Sequence, residues 1–401
     1  MRVRMTQQAV GQGGLFSGEL SAGRETLRWV YDCGSNQADA LRREITILAA
    51  RSDTIDFLFL SHLDSDHVSG VDRLLSQSSV REVILPYLDE ATLIATIARD
   101  AARGALSGAF VELASDVAGW LGSRGVEIVT FVNGPDDDAP TGDGPDFPGR
   151  PGDGGEGRVT AKWTREPEPM PDATARPSGP RARLRRVPPE ALLVTTVPSV
   201  LLNWTLAPYA QLPSARLMKA FESALKREFG SLSKKAIIRR AKEADIRDRL
   251  RKCYDALWID HNLVSMALYA GPLEARRPRV TINPGRHHFP HRRDGGGGWL
   301  LTGDAHLDRR QRRQRFLQFY ERFSPLVNVL MLPHHGSIHN HSDLVLVGLP
   351  SLSVGYAAAG PNDYGHPHRS VGDAVQAHGG AAFHQVSDEP ATKLDMDVDF
   401  R

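Results

Sequence analysis

The sequence predicts an α/β fold with layered sheets and helices. Three observations carry this expectation. Strand-length apolar runs alternate with helical spacing through residues 1–90, and the same alternation returns from about residue 258 to the end. A dense group of metal-ligand side chains also follows directly on one apolar run, and a strand end holds its first loop side chains stiffly. In chain order, Thr26 to Tyr31 reads as a strand ending at Asp32, and Ala40 to Ala50 has helical spacing. Asp56 to Leu60 is a strand, Val71 to Leu75 opens a helix, and Val80 to Leu85 is the next strand. Residues 90–132 read mostly as helix, closing in a strand at Val126 to Val132. From 133 to 182 the run Asn133-Gly134-Pro135-Asp136-Asp137-Asp138 leads into a Gly/Pro/Asp-rich tract. That tract has too few apolar residues to offset its ordering entropy, so a disordered loop is expected. Helices are predicted at Ser214 to Phe229 and Lys234 to Ala256, and strands at Leu263 to Tyr269 and Val280 to Asn283. Arg286 to Gly298, with His287, His288 and His291, reads as a hairpin loop. Trp299 to Leu301 then enters Thr302-Gly303-Asp304, and the arginine-rich stretch Arg309 to Arg315 reads as a solvated helix face. The expected organisation is one domain in two halves, 1–90 and 258–401, split by a mainly helical insertion over 91–257.

Composition sets limits. With 401 residues, 41% hydrophobic, the chain can bury a sizeable core, while a net charge of +1 gives no global field toward nucleic acid or anionic membrane. Cys33 and Cys253 cannot build a disulfide framework, the first residues lack an apolar signal region, and no stretch reaches the roughly 18 apolar residues that span a bilayer. A cytoplasmic location without membrane contact is expected. Between Arg216 and Lys252, thirteen Lys/Arg stand against five Asp/Glu. Such a stretch is either a solvated helix face or a surface for phosphate backbones.

Chemistry concentrates at residues 58–70. After the apolar run Phe57-Leu58-Phe59-Leu60 come His62, Asp64, Asp66 and His67, four ligand side chains in six positions. Imidazole nitrogens with carboxylate oxygens suit zinc, manganese or iron. An ordinary polar turn seldom holds two His and two Asp in this order.

This segment resembles the His-x-His-x-Asp-His signature of the metallo-β-lactamase superfamily, with Asp64 in place of the second His. Further motifs resemble one branch, the hydrolase domain of ComEC-type competence (DNA-uptake) proteins. They are Val10-Gly11-Gln12-Gly13, Asp32-Cys33-Gly34, Thr302-Gly303-Asp304, His334-His335-Gly336-Ser337 and Asn362-Asp363-Tyr364-Gly365-His366-Pro367, in that order. The resemblance covers roughly residues 1–90 and 258–390. Those proteins join the domain to a membrane channel, and no membrane-spanning stretch is expected in this sequence, so transport is not carried over.

The resemblance implies a metallo-β-lactamase αβ/βα four-layer sandwich with metals at one edge between two mixed sheets, interrupted by the mainly helical insertion. It implies His62 and Asp64 on one metal, Asp66 and His67 on the other, and Asp304 bridging them. Asp64 makes the first position harder and more anionic than a histidine would. His335 and His366 both stand where the last superfamily histidine is expected, and the second histidine of a pair such as His334-His335 can also protonate a leaving alkoxide. Catalytic roles are expected for Asp66, His334 and His335. His261 is placed as a superfamily ligand by its distance from Ser265, whereas Asn262 with Ser265 satisfies the competence-type pattern, which is favoured. His339, His341 and His368 are expected to be bystanders, and Cys33 to pack.

The expected function is metal-dependent hydrolysis by a water activated on one or two divalent ions, zinc or manganese, most simply of phosphodiesters in nucleic acid or nucleotides. The alternatives are a non-catalytic or regulatory module that binds a protein partner through 91–257, and a lactonase or thioesterase.

Overall fold

The computed structural model describes residues 1–104, 108–135, 145, 159–172, 179–197, 202–255, 264–284 and 296–400. Strands β1 (Arg2–Gln7), β2 (Gly13–Ala22) and β3 (Glu25–Ser35) form an antiparallel meander. Helix α1 (Ala38–Arg51) crosses to β4 (Thr54–Phe59), and α2 (Ser65–Val68) with α3 (Val71–Gln77) crosses to β5 (Ser79–Pro86). β3, β4 and β5 are parallel neighbours, and parallel neighbours require such crossovers.

Helices α4 (Glu90–Arg103), α5 (Gly108–Ser115) and α6 (Val117–Gly122) precede β6 (Ile128–Val132). Strands β7 (Thr160–Trp163), β8 (Glu168–Pro169), β9 (Arg183–Val187), β10 (Leu193–Val197) and β11 (Leu202–Gln211) follow. Then come α7 (Ala215–Phe229), α8 (Lys234–Arg239) and α9 (Ala244–Asp255). The last part holds β12 (Ser265–Pro272), β13 (Arg279–Pro284), β14 (Gly298–Leu301), α10 (Arg310–Tyr320) and β15 (Val327–Met331). It ends with α11 (Asp343–Val347), β16 (Val354–Ala358), α12 (Arg369–Ala377), β17 (Ala382–Val386) and β18 (Leu394–Asp399).

Among the described residues the strands form two mixed sheets, ordered β13-β18-β1-β2-β3-β4-β5-β6-β9-β8 and β17-β16-β15-β14-β12-β11-β10-β7. The packing is in layers. Phe57 and Phe59 of β4 join Trp29, Trp204, Trp299 and Met331 in a core between the sheets. Ile55 and Leu58 of the same strand, with Leu60 just beyond its end, pack instead with Ile45, Leu74 and Ile94 beneath the helices outside the first sheet. Leu330 and Tyr269 pack with Phe316, Leu346 and Val375 beneath α10, α11 and α12 outside the second. Three apolar interfaces between four layers make an αβ/βα sandwich, and strands buried on both faces explain the unbroken apolar runs in the sequence.

The middle of the chain is less purely helical than expected. Helices α4–α9 are present, but β6, β8 and β9 extend the first sheet while β7, β10 and β11 extend the second. Only β6 of these strands is anticipated by the sequence. Pro208 inside β11 argues against a central strand, and the arginines of β9 read as polar surface. Arg185 of β9 in fact donates to Glu82 at 2.8 and 2.9 Å, and Glu82 also accepts from Thr130 at 2.5 Å, so charge stitches β5, β6 and β9 together. Most of the expected disordered loop at 133–182 lies outside the described residues, and β7 and β8 fall within its span.

The single helix expected from Lys234 to Ala256 is broken between Arg239 and Ala244. Continued without a break, the buried face set by Ile238 would place Asp245 and Arg249 inward. The break rephases it so that Ile246, Leu250 and Cys253 are buried instead. Part of the basic charge here is locally matched, in Lys234–Glu222 (2.6 Å), Arg240–Glu243 (2.7 Å) and Lys242–Glu112 (2.8 Å). No described helix is long and apolar enough to cross a membrane.

Candidate metal centre

The ligand-type side chains sit where strand ends of both sheets meet. Leaving β4, the chain carries Ser61 and His62, and Asp64 precedes the short helix α2 that holds Asp66 and His67. From the facing sheet β14 ends at Thr302-Gly303-Asp304, and β15 ends at His334-His335. Two glycines make the approach close enough. A Cβ on Gly34 would lie 2.5 Å from the backbone of His67 and Val68, and one on Gly303, at φ +52°, would lie 2.7 Å from Ser265 Oγ. His334 and His335 both take left-handed backbone conformations at φ 49° and 57°, uncommon for such residues, and the His334 N–H holds the turn by donating to Gly303 O at 2.9 Å.

The donor atoms converge into two overlapping groups, His62–His67–Asp304 and Asp66–His67–His335. His62 Nε2 is 3.4 Å from Asp304 Oδ2, His67 Nε2 is 3.4 Å from Asp304 Oδ1, and His335 Nε2 is 3.2 Å from Asp66 Oδ2. Buried His67 Nε2 has no hydrogen-bond partner among the described residues. A cation among these atoms would satisfy it, and an imidazole and carboxylate donor set of this kind fits a divalent metal.

The surrounding hydrogen bonds fix which ring nitrogen faces inward. Asp32, itself at φ 57°, accepts from Ser61 N (2.7 Å), Ser61 Oγ (2.8 Å) and His67 Nδ1 (2.8 Å). Because Ser61 Oγ donates to Asp32, it accepts from His62 Nδ1 at 2.8 Å. His335 Nδ1 donates to Ala358 O at 2.8 Å and His334 Nδ1 to Asn340 Oδ1 at 2.9 Å. Nδ1 of all four rings is therefore engaged, and Nε2 is the nitrogen left to face inward, the one a metal would take. Asn340 also donates to Asp304 O at 3.2 Å, and Ser265 Oγ accepts from Asp304 N at 2.9 Å.

Electrostatics reinforce the arrangement. Burial acts to raise Asp66 and Asp304, but His67 and His335 beside Asp66, and His334, His67 and His62 beside Asp304, hold both carboxyls well below the usual range. Burial acts to lower His67, but Asp304, Asp32 and Asp66 outweigh it and raise the imidazole well above its ordinary value. His334 is lowered by burial, and His366 is pushed down to about 4 by burial and by the neighbouring His334 and His335.

Asp64 and His366 stand apart from the two donor groups. Asp64 keeps Oδ2 3.4 Å from His62 Nε2, but its other oxygen pairs with Arg99 of α4, a side chain only 2% exposed that also reaches Asp100 at 2.8 Å. The His366 ring lies 5.2 Å from that of His334 on the wall of the cleft. His334 Nε2 is 3.7 Å from Asp304 Oδ2. His341 pairs with Asp343, His368 caps α12, and His339 lines the cleft. Cys33 is buried among apolar side chains of the outer core, and burial raises its thiol. His261, Asn262, His287, His288 and His291 lie outside the described residues. Sequence reasoning assigned no role to Arg99, Asn340 or buried His306. His306 follows Asp304 by two positions, which was the one available signal; the other two are brought in only by packing.

The model of the metallo-beta-lactamase superfamily matches residues 23–172. Members of that superfamily are generally metal-dependent hydrolases. The matched region carries Asp32 and the whole His62–His67 loop, and the sandwich described above is the superfamily's architecture. No curated protein matches the chain.

Proposed function

We propose that this protein is a metal-dependent phosphodiesterase or nuclease. The observation that carries the reading is the pair of overlapping donor groups, whose Asp66 and Asp304 line a cleft of about 880 Å³. His334 and His366 line that cleft with Arg309, which pairs with Asp308 at 3.2 Å, so a diester held by metal at the carboxylates would meet two imidazoles. The competence-type order of motifs around the same residues points to the same substrate class.

When bound, one or two divalent ions would supply Lewis acidity and a water of lowered pKa, roughly 7 in well-studied sites. His67 and Asp304, with Asp66 and His335, would hold one ion. His62, with the second oxygen of Asp304 and with Asp64, would hold another. Asp32 and Ser61 orient His67 and His62, and a 1 Å misplacement of such groups can cost about 10² in rate. His335 is committed by its Nδ1 bond to Ala358 O and turned toward Asp66, which leaves His334 to face the leaving oxygen. Asn340 holds the proton side of His334 and so sets its direction.

The test is a screen of metal-supplemented protein on bis(p-nitrophenyl) phosphate, oligonucleotides and lactones, with Asp304→Asn as control. Metal-dependent diester cleavage that Asp304→Asn abolishes supports the reading. Turnover of lactones alone would replace it with the lactonase reading, and no turnover with any metal would favour a regulatory module.

A further inference from the structure

We infer that Tyr364 is a stacking platform for an unpaired nucleobase beside the scissile phosphate, so that the strand this centre takes is a single one; the inference rests on the phosphodiester reading. Tyr364 is 72% exposed and lines the same cleft as Asp66, Asp304, His334 and His366. A lone apolar group on a surface means little. This ring differs because it ends a row. It lies 5.9 Å from the His366 ring at an interplanar angle of 30°, and the His366 ring lies 5.2 Å from that of His334. His334 Nε2 is in turn 3.7 Å from Asp304 Oδ2. The row runs from solvent to the donor groups, so a phosphate held at the carboxylates would bring a flanking base to the outermost ring.

The loop that carries Tyr364 is held by its own side chains. Asn362 Oδ1 accepts from Tyr364 N at 3.0 Å and from His366 N at 3.1 Å, while Asn362 Nδ2 donates to Gly360 O at 2.8 Å and to His366 O at 2.7 Å. Gly365 turns the chain at φ +73°, and Gln37 Nε2 ties the loop to the start of α1 by donating to Pro361 O at 2.9 Å. The backbone on both sides of Tyr364 is fixed before any ligand arrives, so little ordering remains to oppose binding.

Charge on the cleft wall points the same way. Histidines aside, the charged residues lining it are five aspartates and Arg309, which pairs with Asp308 at 3.2 Å. Such a wall does not attract a polyanion, so beyond the metal a strand needs a contact that is not electrostatic. Among the described residues Tyr364 is the one Phe, Tyr or Trp lining the cleft. Every base has a π-face to offer it, but only a base freed from its duplex stack can present one.

The experiment mixes metal-supplemented Asp304→Asn protein, in which cutting is suppressed, with a short single strand carrying 5-iodouracil, made once with deoxyribose and once with ribose. Light replaces the iodine with a bond to an aromatic ring stacked on the base, and mass spectrometry locates that bond. It should fall on Tyr364 with at least one of the two strands. Tyr364→Ala and Tyr364→Leu should weaken single-strand binding by about fivefold or more, and Tyr364→Trp should keep it. The same sequence as a duplex should show no dependence on Tyr364. In the Asp304-intact protein, Tyr364→Ala should raise KM for the p-nitrophenyl ester of thymidine 5′-phosphate at least fivefold relative to KM for methyl p-nitrophenyl phosphate, which has no base. Cross-links absent from Tyr364 with both strands, or single-strand binding equal in wild type and Tyr364→Leu, overturn the inference and leave the proposed activity standing. Cross-linking at Tyr364 without turnover of any diester would keep the base site and sink the activity.

Discussion

At the scale of single residues, His67 links every part of the centre. Its Nδ1 is held by Asp32, so it has only Nε2 to offer, yet it belongs to both donor groups. Two ions cannot share that one lone pair, so one position is well furnished and the other depends on His62, Asp304 and Asp64. Because neighbouring carboxylates raise His67 well above its ordinary value, the metal-free ring is protonated near neutral pH, and an ion must displace that proton. Metal affinity is therefore expected to fall as pH falls, with about one proton released per first ion. Calorimetry in buffers of different ionisation enthalpy reads the proton directly, and no buffer dependence would contradict the assignment. Arg99 is the second telling residue. Replacing it with Met takes the guanidinium away from buried Asp64 and Asp100, and breaking a buried pair from one side costs about 3–5 kcal/mol. The metal-free Arg99→Met protein should melt earlier, and manganese should raise its melting temperature more than in the wild type, because the ion then neutralises Asp64. Equal metal-induced shifts in the two proteins would mean that Asp64 takes no part in binding.

At the scale of elements, the site is an assembly of strand ends tied by short turns. Helix α2 has a single turn and cannot hold its position by its own hydrogen bonds. It sits where it does because β3 lacks a side chain at Gly34. Gly34→Ala puts a Cβ 2.5 Å from backbone atoms of His67 and Val68, and backbone cannot swing aside as a side chain tip does. The expected outcome is a lower melting temperature together with metal affinity reduced about 10–100-fold, the range seen when support around ligands is lost. Titration of metal into the refolded variant checks this; a stability loss with unchanged affinity would show that α2 is placed by other contacts. The helices α7–α9 show the opposite lesson. Their sequence is strongly basic, but several cations are spent in exposed, solvent-screened ion pairs, so composition overstates the field they present.

At the scale of the whole molecule, the donor groups bridge the two sheets. His62, Asp66 and His67 come from the β4 side, and Asp304 and His335 from the β14 and β15 side. An ion held there would tie the layers across the central core. Metal at 100 times its dissociation constant should add about 2.7 kcal/mol to stability, and the melting transition should move upward as one cooperative unit. Differential scanning calorimetry with and without chelator checks this, and a shift confined to one of two resolved transitions would show that the sheets unfold separately.

The sequence by itself determined the α/β layering, because strands buried on both faces are written as unbroken apolar runs, and it determined the His62–His67 loop, because its four ligand-type side chains fall within six positions. It also marked Thr302-Gly303-Asp304 and His334-His335 as companions of that loop through their motif order. Only the tertiary structure decided which nitrogen each histidine turns inward, since Asp32, Asn340 and Ala358 O are set against the rings by packing. It alone paired Asp64 with Arg99, and it alone wove β7–β11 into the two sheets. Sequence pattern reports which face of a segment is apolar. It does not report which distant segment will cover that face, and the partners of Asp64, His334 and His335 are contacts of that kind.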